Sequence, residues 1–575
     1  MSESLKRTYR LHDPVSSEVA KTLAAYDALT QQLLVNRGIT DAETAETFLN
    51  PDYDNHLHDP FLLTDMEQAV ERILAAIEKE EQIVIYSDYD CDGIPGGVIL
   101  HDFFKAIGYE HFTNYIPHRH HEGYGFTAEN AEKLAKEGAA LIITIDCGTV
   151  DHAAVEVANK AGVDVIVTDH HEPSDTLPAA LAVINPKRAD AYPFTGLCGA
   201  GVIFKVVQAT IIRGKEKGVI DLTEGWEKWW LDMVGIATIA DMVPLTDENR
   251  VLAHYGLQVL RKSRRPGLQH LLRKAGGNQR FLTEDDIGFT IGPRVNAASR
   301  MDTPEDAFHM LATRDEGEAG ERVRHLEKLN NERKGVVAGM VKEAKKRIAG
   351  MDADMSVIVI GNPEWKPSLV GLVASSLSEE YVAPSFVWGR DGKGVLKGSC
   401  RSAGAVSVVD IMRAADDALL GYGGHHAAGG FSVDDTGVHT LHQALHDAYH
   451  EVVKSEETHI PETLIDTNLT LSAVDNALIR TLSSLAPYGM GNDKPVFQFQ
   501  DVVPQQVAVF GKTKNHTKLT FHLEDGMLEA IAFFKTPEQF DIVPEVDTAH
   551  TLIAHVEESF FRGRKQIRLR IIDIL

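Results

Sequence analysis

Three short apolar runs in the first third of the chain each end in acidic or histidine residues. Ile83–Tyr86 leads into Asp88-Tyr89-Asp90-Cys91-Asp92-Gly93, Leu141–Ile145 into Asp146-Cys147-Gly148, and Val163–Val167 into Asp169-His170-His171. Helical stretches such as Ala153–Ala161 lie between them. Unbroken apolar runs of this length suit strands buried on both faces, and their alternation with helices predicts a covered parallel sheet. Ligands of such sheets sit beyond the carboxyl ends of the strands. All three polar clusters fall at that end, so three strands deliver Asp and His to one rim.

Several carboxylates beside imidazoles repel one another and raise each other's pKa. A pair of divalent cations resolves the conflict. Asp90 and Asp92 can aim at one point from a turn, and Asp146, His170 and Asp241 join them if the strands are neighbours. Oxygen-rich sites with some imidazole suit Mn2+ or Mg2+. Two such ions about 3.5–4 Å apart would serve phosphoester hydrolysis. A lone Asp-x-Asp is more often a turn or cap, and a lone His-His pair is more often surface or core. Their repetition at successive strand ends favours metal. The cluster is no EF-hand, because Ile99 occupies the twelfth position from Asp88 where that loop needs an acid.

Composition limits the rest. At 575 residues the chain is long enough for three to five domains. With 43% hydrophobic and 25% charged residues it is globular rather than disordered, collagenous or coiled-coil. No apolar run reaches the length of a membrane span, and the N-terminal MSESLKRTYRLHDP lacks a signal-peptide core. Cys91, Cys147, Cys198 and Cys400 form no zinc or disulfide framework. These features predict a soluble cytoplasmic protein with no membrane partner. A net charge of −27 speaks against general nucleic-acid coating but leaves room for a local basic groove.

Residues 1–55 read as a helical lead-in. Glu321–Ile348 reads as a long connecting helix whose charges form a solvated face. Val357–Ile360 and Ser385–Trp388, with a helix around Leu369–Glu380, open a second α/β unit. Short runs at Lys518–Leu523, Leu528–Phe534 and Gln566–Ile572 suggest a small terminal β-barrel. Pro293 suits a first helical turn, so Arg294, Asn296 and Arg300 after it form a candidate phosphate site. Arg119 is a weaker candidate, and His118, His120 and His121 read as surface. Ser399, Arg401, Ser402 and a glycine-rich loop over Gly423–Gly430, with Gly424 and His425, offer close backbone approach to phosphate. On the barrel, Phe510, Lys512, Lys514, His516 and Lys518 form one basic-aromatic strip. Phe560, Phe561, Arg562, Arg564, Lys565, Arg568 and Arg570 form another.

In order and spacing these motifs resemble the DHH phosphoesterase superfamily, and within it the RecJ family of single-strand-specific exonucleases, over nearly the whole chain. Asp88–Gly93, Asp146–Gly148 and Asp169–His171 look like the first three motifs, and Ala237–Leu245 followed by Asn249-Arg250 like the fourth. Pro293–Arg300 resembles the segment that handles substrate phosphates. Lys397–Ser402 and Gly423–Gly429 resemble the associated second domain. Pro487–Asn492 with Lys494–Phe497 leads into what resembles the terminal OB-fold.

The resemblance implies an α/β fold: a parallel-sheet DHH domain joined by a long helix to a smaller α/β domain, plus the OB barrel. Its divisions would be 56–280 catalytic, 281–350 phosphate segment and long helix, 351–455 associated domain, 456–494 linker and 495–575 barrel. It further implies that Asp146 bridges two ions, that Asp92, His170 and Asp241 complete one, and that Asp90 with Asp88 holds the other. His171 would contact the scissile phosphate, and Asp169 would orient the histidines. The implied activity is processive 5′→3′ degradation of single-stranded DNA with release of mononucleotides, in repair and recombination. A monomer is expected, with a single-strand-binding protein as a partner. Tyr86 stands where some superfamily members carry a metal-binding His. Ile94-Pro95-Gly96, Ser299 and Lys366/Ser368 depart from the usual pattern. One rival is a phosphoesterase for short oligonucleotides or cyclic dinucleotides, whose chains usually lack the barrel. The other is a metal-dead scaffold, which requires the loss of ligands that are all present here.

Overall fold

The computed structural model describes residues 8–188, 192–350, 355–403, 406–455, 462–511, 513–524, 526–561 and 564–575. The chain forms two compact units. One joins residues 57–243 and 247–461; the other joins 1–56, 244–246 and 462–575.

The larger unit is built on five parallel strands in the order Phe112–Tyr115, Ile83–Ser87, Leu141–Ile145, Asp164–Thr168 and Ala182–Ile184. Ile83–Ser87 and Leu141–Ile145 are buried at every position, as expected of a sheet covered on both faces. The register aligns Ser87, Ile145, Thr168 and Ile184 side by side. The ladder runs one residue further: Asp88 N–H donates to Ile145, Asp146 to Thr168 and Asp169 to Ile184. Register alone therefore places the acids in one row along the carboxyl edge.

Helices Gly93–Ala106 and Gly199–Glu216 pack together beside this sheet. The 33-residue helix Glu316–Ile348 spans about 50 Å. It leads to a second, mixed sheet of Gly421–His425, Ala428–Val433, Leu396–Arg401, Ser385–Arg390 and Ile358–Gly361. Only its last pair is parallel. The glycine-rich segment expected as a loop is instead a hairpin of paired strands. Gly424 (φ 145°) is required there, because a Cβ would lie 2.4 Å from the Ala428 carbonyl oxygen.

The smaller unit contains a barrel whose seven strands run in the order Thr467–Asn468, Phe497–Val502, His550–Phe561, Arg564–Ile574, Gly526–Ala532, His516–Leu523 and Gln506–Phe510. The N-terminal segment carries helices Ser17–Thr22, Ala28–Val35 and Ala42–Leu49, but opens with a strand. That strand, Thr8–Leu11, pairs in parallel with Glu462–Ile465. Leu23, Leu33 and Leu34 share a core with Leu478, Phe497 and Phe521. Among the described residues, no helix is long and apolar enough to cross a membrane.

Candidate metal centre and phosphate site

The rim gathers five carboxylates and two imidazoles. Ligand atoms of Asp92, His170 and Asp241 lie within 4.8 Å of one another, as do those of Asp88, Asp90 and Asp146, and those of Asp146, His170 and His171. His170 Nε2 lies 3.2 Å from Asp146 Oδ1 and 3.7 Å from both Asp92 and Asp241. Asp241 arrives from outside the sheet, at the end of helix Leu231–Ala240. Asp92 is held by the start of helix Gly199–Glu216, accepting from Gly199 N–H at 2.6 Å and Ala200 N–H at 2.7 Å. Gly199 must lack a side chain, since a Cβ would sit 2.6 Å from Asp146 Cβ.

The electrostatics fit cations. Burial, then Asp90, pushes Asp92 up to about 6. Burial, then Asp92, pushes Asp241 up to about 9. Asp88 and Asp146 are raised by burial and then by neighbouring carboxylates. Asp88 Oδ1 and Asp146 Oδ1 are buried without a hydrogen-bond partner. Among the described residues, the ion-pair partners of Asp92, Asp146 and Asp241 are histidines. Burial, then His171, lowers His170 to about 3, so it stays a neutral donor. The donor set therefore suits hard divalent ions.

Asp169 faces inward and serves the histidines. It accepts from the backbone N–H of Thr149, His170 and His171 and from the His171 ring at 2.7 Å. Burial opposes its charge, but His171 and Thr149 outweigh burial and hold it well below the usual range. Burial likewise opposes the charge of His171, and Asp169 more than offsets it, raising the ring's pKa. Sequence reasoning passed over Tyr124, whose hydroxyl donates to the Asp146 carbonyl and lies 3.2 Å from the His171 ring. Tyr86 is core: its hydroxyl donates to Gly125 and accepts from Asn130.

Beside the rim lies an arginine cluster. Arg300 donates to the Ser368 carbonyl at 2.6 Å, and Ser368 Oγ returns a bond to the Arg300 carbonyl. Burial, followed by Arg119 and Arg333, pushes Arg300 down to about 9, with Arg401 contributing and Asp90 opposing. Arg119 lies over the Tyr89 ring at 4.8 Å. Arg401 sits against Gly371 with Ser399 beside it. Asn296 Oδ1 is buried without a partner. Arg333 belongs to the long helix read as solvated, so sequence patterning missed it. His120 is half-buried, with its ring nitrogen 3.2 Å from the Arg300 carbonyl.

Arg294 is placed differently, tied to Glu327 at 2.7 Å. The helix start expected at Pro293 is also not free. Helix Gly292–Met301 continues directly from the turns Glu284–Asp286 and Ile287–Ile291, and Gly292 N–H bonds to the Ile287 carbonyl.

In the hairpin sheet, Ser402 N–H bonds to Ala427, and His425 is exposed on the strand that carries Gly424. On the barrel, Lys518 pairs with Glu529 at 2.8 Å. Lys512 lies outside the described residues, and so does the side chain of Arg564, which opens strand Arg564–Ile574. The basic strips expected there gain an aromatic group. Phe510, His516, Phe533 and Phe534 meet edge to edge or tilted, with ring centroids 4.8–6.5 Å apart. Arg568 lies 5.4 Å over Phe533.

Residues 82–238 match the DHH family, N-terminal domain. Residues 354–454 match the DHHA1 domain and 465–573 the RecJ OB domain. The chain is 35% identical over 548 residues to the single-stranded-DNA-specific exonuclease RecJ of Bacillus subtilis, covering 95% of this chain and 67% of that one. It is 30% identical over 592 residues to RecJ of Escherichia coli K12, covering 99% and 100%. RecJ of Thermus thermophilus in complex with Mn2+ matches with a TM-score of 0.81 at 27% identity, over 99% of this chain and 79% of that one. The DHH, DHHA1 and OB segments in sequence, together with these full-length relatives, show that the chain belongs to the RecJ family of the DHH phosphoesterases.

Proposed function

We propose that the chain is a 5′→3′ exonuclease on single-stranded DNA that releases mononucleotides by two-cation hydrolysis. The observation that carries this reading is the pair of ligand groups, Asp92-His170-Asp241 and Asp88-Asp90-Asp146, joined where His170 meets Asp146. Two Mn2+ or Mg2+ ions held there would lower the pKa of attacking water and offset charge on the phosphate.

The residues around them do the positioning. Asp169 fixes His171 through Nδ1, which leaves Nε2 to donate to a phosphate oxygen. Arg119, Arg333 and Arg401 crowd the charge of Arg300, which Asp90 offsets only in part, and an anionic 5′ end relieves the rest. Asn296, Ser399, Ser402, Gly424 and His425 extend this grip over the terminal nucleotides, and Arg294 supports it through Glu327. The barrel holds the incoming strand by stacking and by basic contacts from Lys512, Lys518 and Arg564. The domain divisions named above belong to this reading, as do monomeric action in the cytoplasm and work beside a single-strand-binding protein.

The test is digestion of 5′- and 3′-labelled single-stranded DNA with Mn2+, beside an Asp146→Asn control. Early release of 5′-labelled mononucleotide, absent from the control, is expected. Early release of the 3′ label, or equal activity in the control, overturns the reading.

A further inference from the structure

The run from Phe289 to Arg300 opens to solvent on one face. Phe289, Pro293, Asn296 and Arg300 keep solvent access, and every residue between them but Thr290 is buried. Spacings of four, three and four residues put these positions on one side of a helix. Arg300, at one end, acts electrostatically on Asp90 and Tyr89. Gly292, near the other end, touches the rim. A Cβ there would lie 3.7 Å from Ala240 Cβ and 3.8 Å from Cys91 Sγ, whose chain neighbours are Asp241, Asp90 and Asp92. Phe289 to Arg300 is eleven residues, roughly 16 Å of helix.

Phe289 is 72% exposed, yet its backbone is clamped. Its turn closes through Gly292 N–H donating to the Ile287 carbonyl, a wide geometry that recurs at functional sites. Ile287 and Ile291, on either side, are fully buried. The Thr290 carbonyl accepts from Arg294 at 2.8 Å, and Glu327 holds Arg294 in turn. The exposure therefore comes from the fold and not from a loose segment. A ring so held offers an open π face with little left to order on binding. Met242, which follows Asp241, adds further exposed apolar surface at the rim.

The direction of the strand comes from the 5′→3′ reading above, on which this inference rests. With the 5′ phosphate held by the arginines, the strand passes the metal ligands and runs toward Phe289. We propose that Phe289 stacks on the nucleobase 3′ of the scissile bond, the base of the nucleotide that becomes the next 5′ end. Every base has a π face, so this contact positions the strand without selecting its sequence.

A double-mutant cycle in binding tests the stack. The full chain with Mn2+ is titrated, by fluorescence anisotropy, against a 5′-phosphorylated single strand whose first linkage is a non-hydrolysable methylenephosphonate. Phe289→Ala and an abasic residue at the second nucleotide are each expected to weaken binding roughly 5–100-fold, the equivalent of about 1–3 kcal/mol for one stacked base. The two together weaken it no further. Phe289→Trp binds as the parent does. An abasic residue at the first nucleotide adds its full effect to that of Phe289→Ala. Parent-like binding by Phe289→Ala, or additive losses at the second nucleotide, overturns the stack. The cycle needs no turnover, so a wrong polarity shows separately, as early release of the 3′ label by the parent chain.

Discussion

Asp146 belongs to two of the ligand groups and has a φ of 62°, a conformation Asn also tolerates. Asp146→Asn therefore keeps the rim's shape and removes its charge. The expected loss is about 10³-fold or more in the rate of nucleotide release, from several kcal/mol of lost charge stabilisation. Unchanged circular dichroism checks the fold. Asp169→Asn acts one step away, through the His171 ring, and should cost about 10–100-fold. The rim also titrates. Asp92 and Asp241 have pKa values raised to about 6 and about 9, so each holds a proton below its value. Cations must displace these protons, which makes Mn2+ binding weaken as pH falls from 9 through 6. Calorimetry in buffers of different ionisation enthalpy should show protons released on binding at pH 7. Binding that releases none, with an affinity flat across this range, removes the coupling.

At the scale of elements, the rim depends on one helix start. Gly199 and Ala200 each bring an N–H group to Asp92, and Gly199 leaves no room for a Cβ beside Asp146. Gly199→Ala should force the two carboxylates apart, cost about 1–3 kcal/mol of stability by overpacking, and weaken Mn2+ binding. A melting curve and a Mn2+ titration read the two effects separately. This level also shows what the sequence made legible. The first three motifs were readable because each follows a strand, and parallel register aligns strand ends without any long-range information. The fit of Arg333 to the cluster was not readable, because its helix is dense in charged residues and patterning reads them all as one solvated face. The strand Thr8–Leu11 was not readable either, since its partner Glu462–Ile465 lies more than four hundred residues away. Pro293 does sit in the first turn of helix Gly292–Met301, as read, but the irregular turn from which that helix continues leaves no pattern in composition.

For the whole molecule, the question is how a chain of net charge −27 grips a polyanion. On the proposed reading, arginines concentrated beside the rim would answer for the 5′ end, and stacking, which needs no net charge, for the strand behind it. Phe534 is 77% exposed and Phe533 38% exposed, just past strand Gly526–Ala532. Phe534 has a φ of 57°, a costly state for a bulky side chain that persists only where surroundings impose it. Its N–H bonds to His516 Nδ1 at 2.8 Å, which imposes it. Water-exposed rings held in a strained turn beside Arg568 are what a base-stacking platform requires. Phe533→Ala with Phe534→Ala should lower affinity for long single strands by about 1–3 kcal/mol per lost stack. Hydrolysis of oligonucleotides too short to leave the rim should be untouched. Filter binding with strands of graded length separates the cases. An equal loss at every length would place the two rings in the barrel's folding instead, and no loss at any length would leave the platform without a strand to hold.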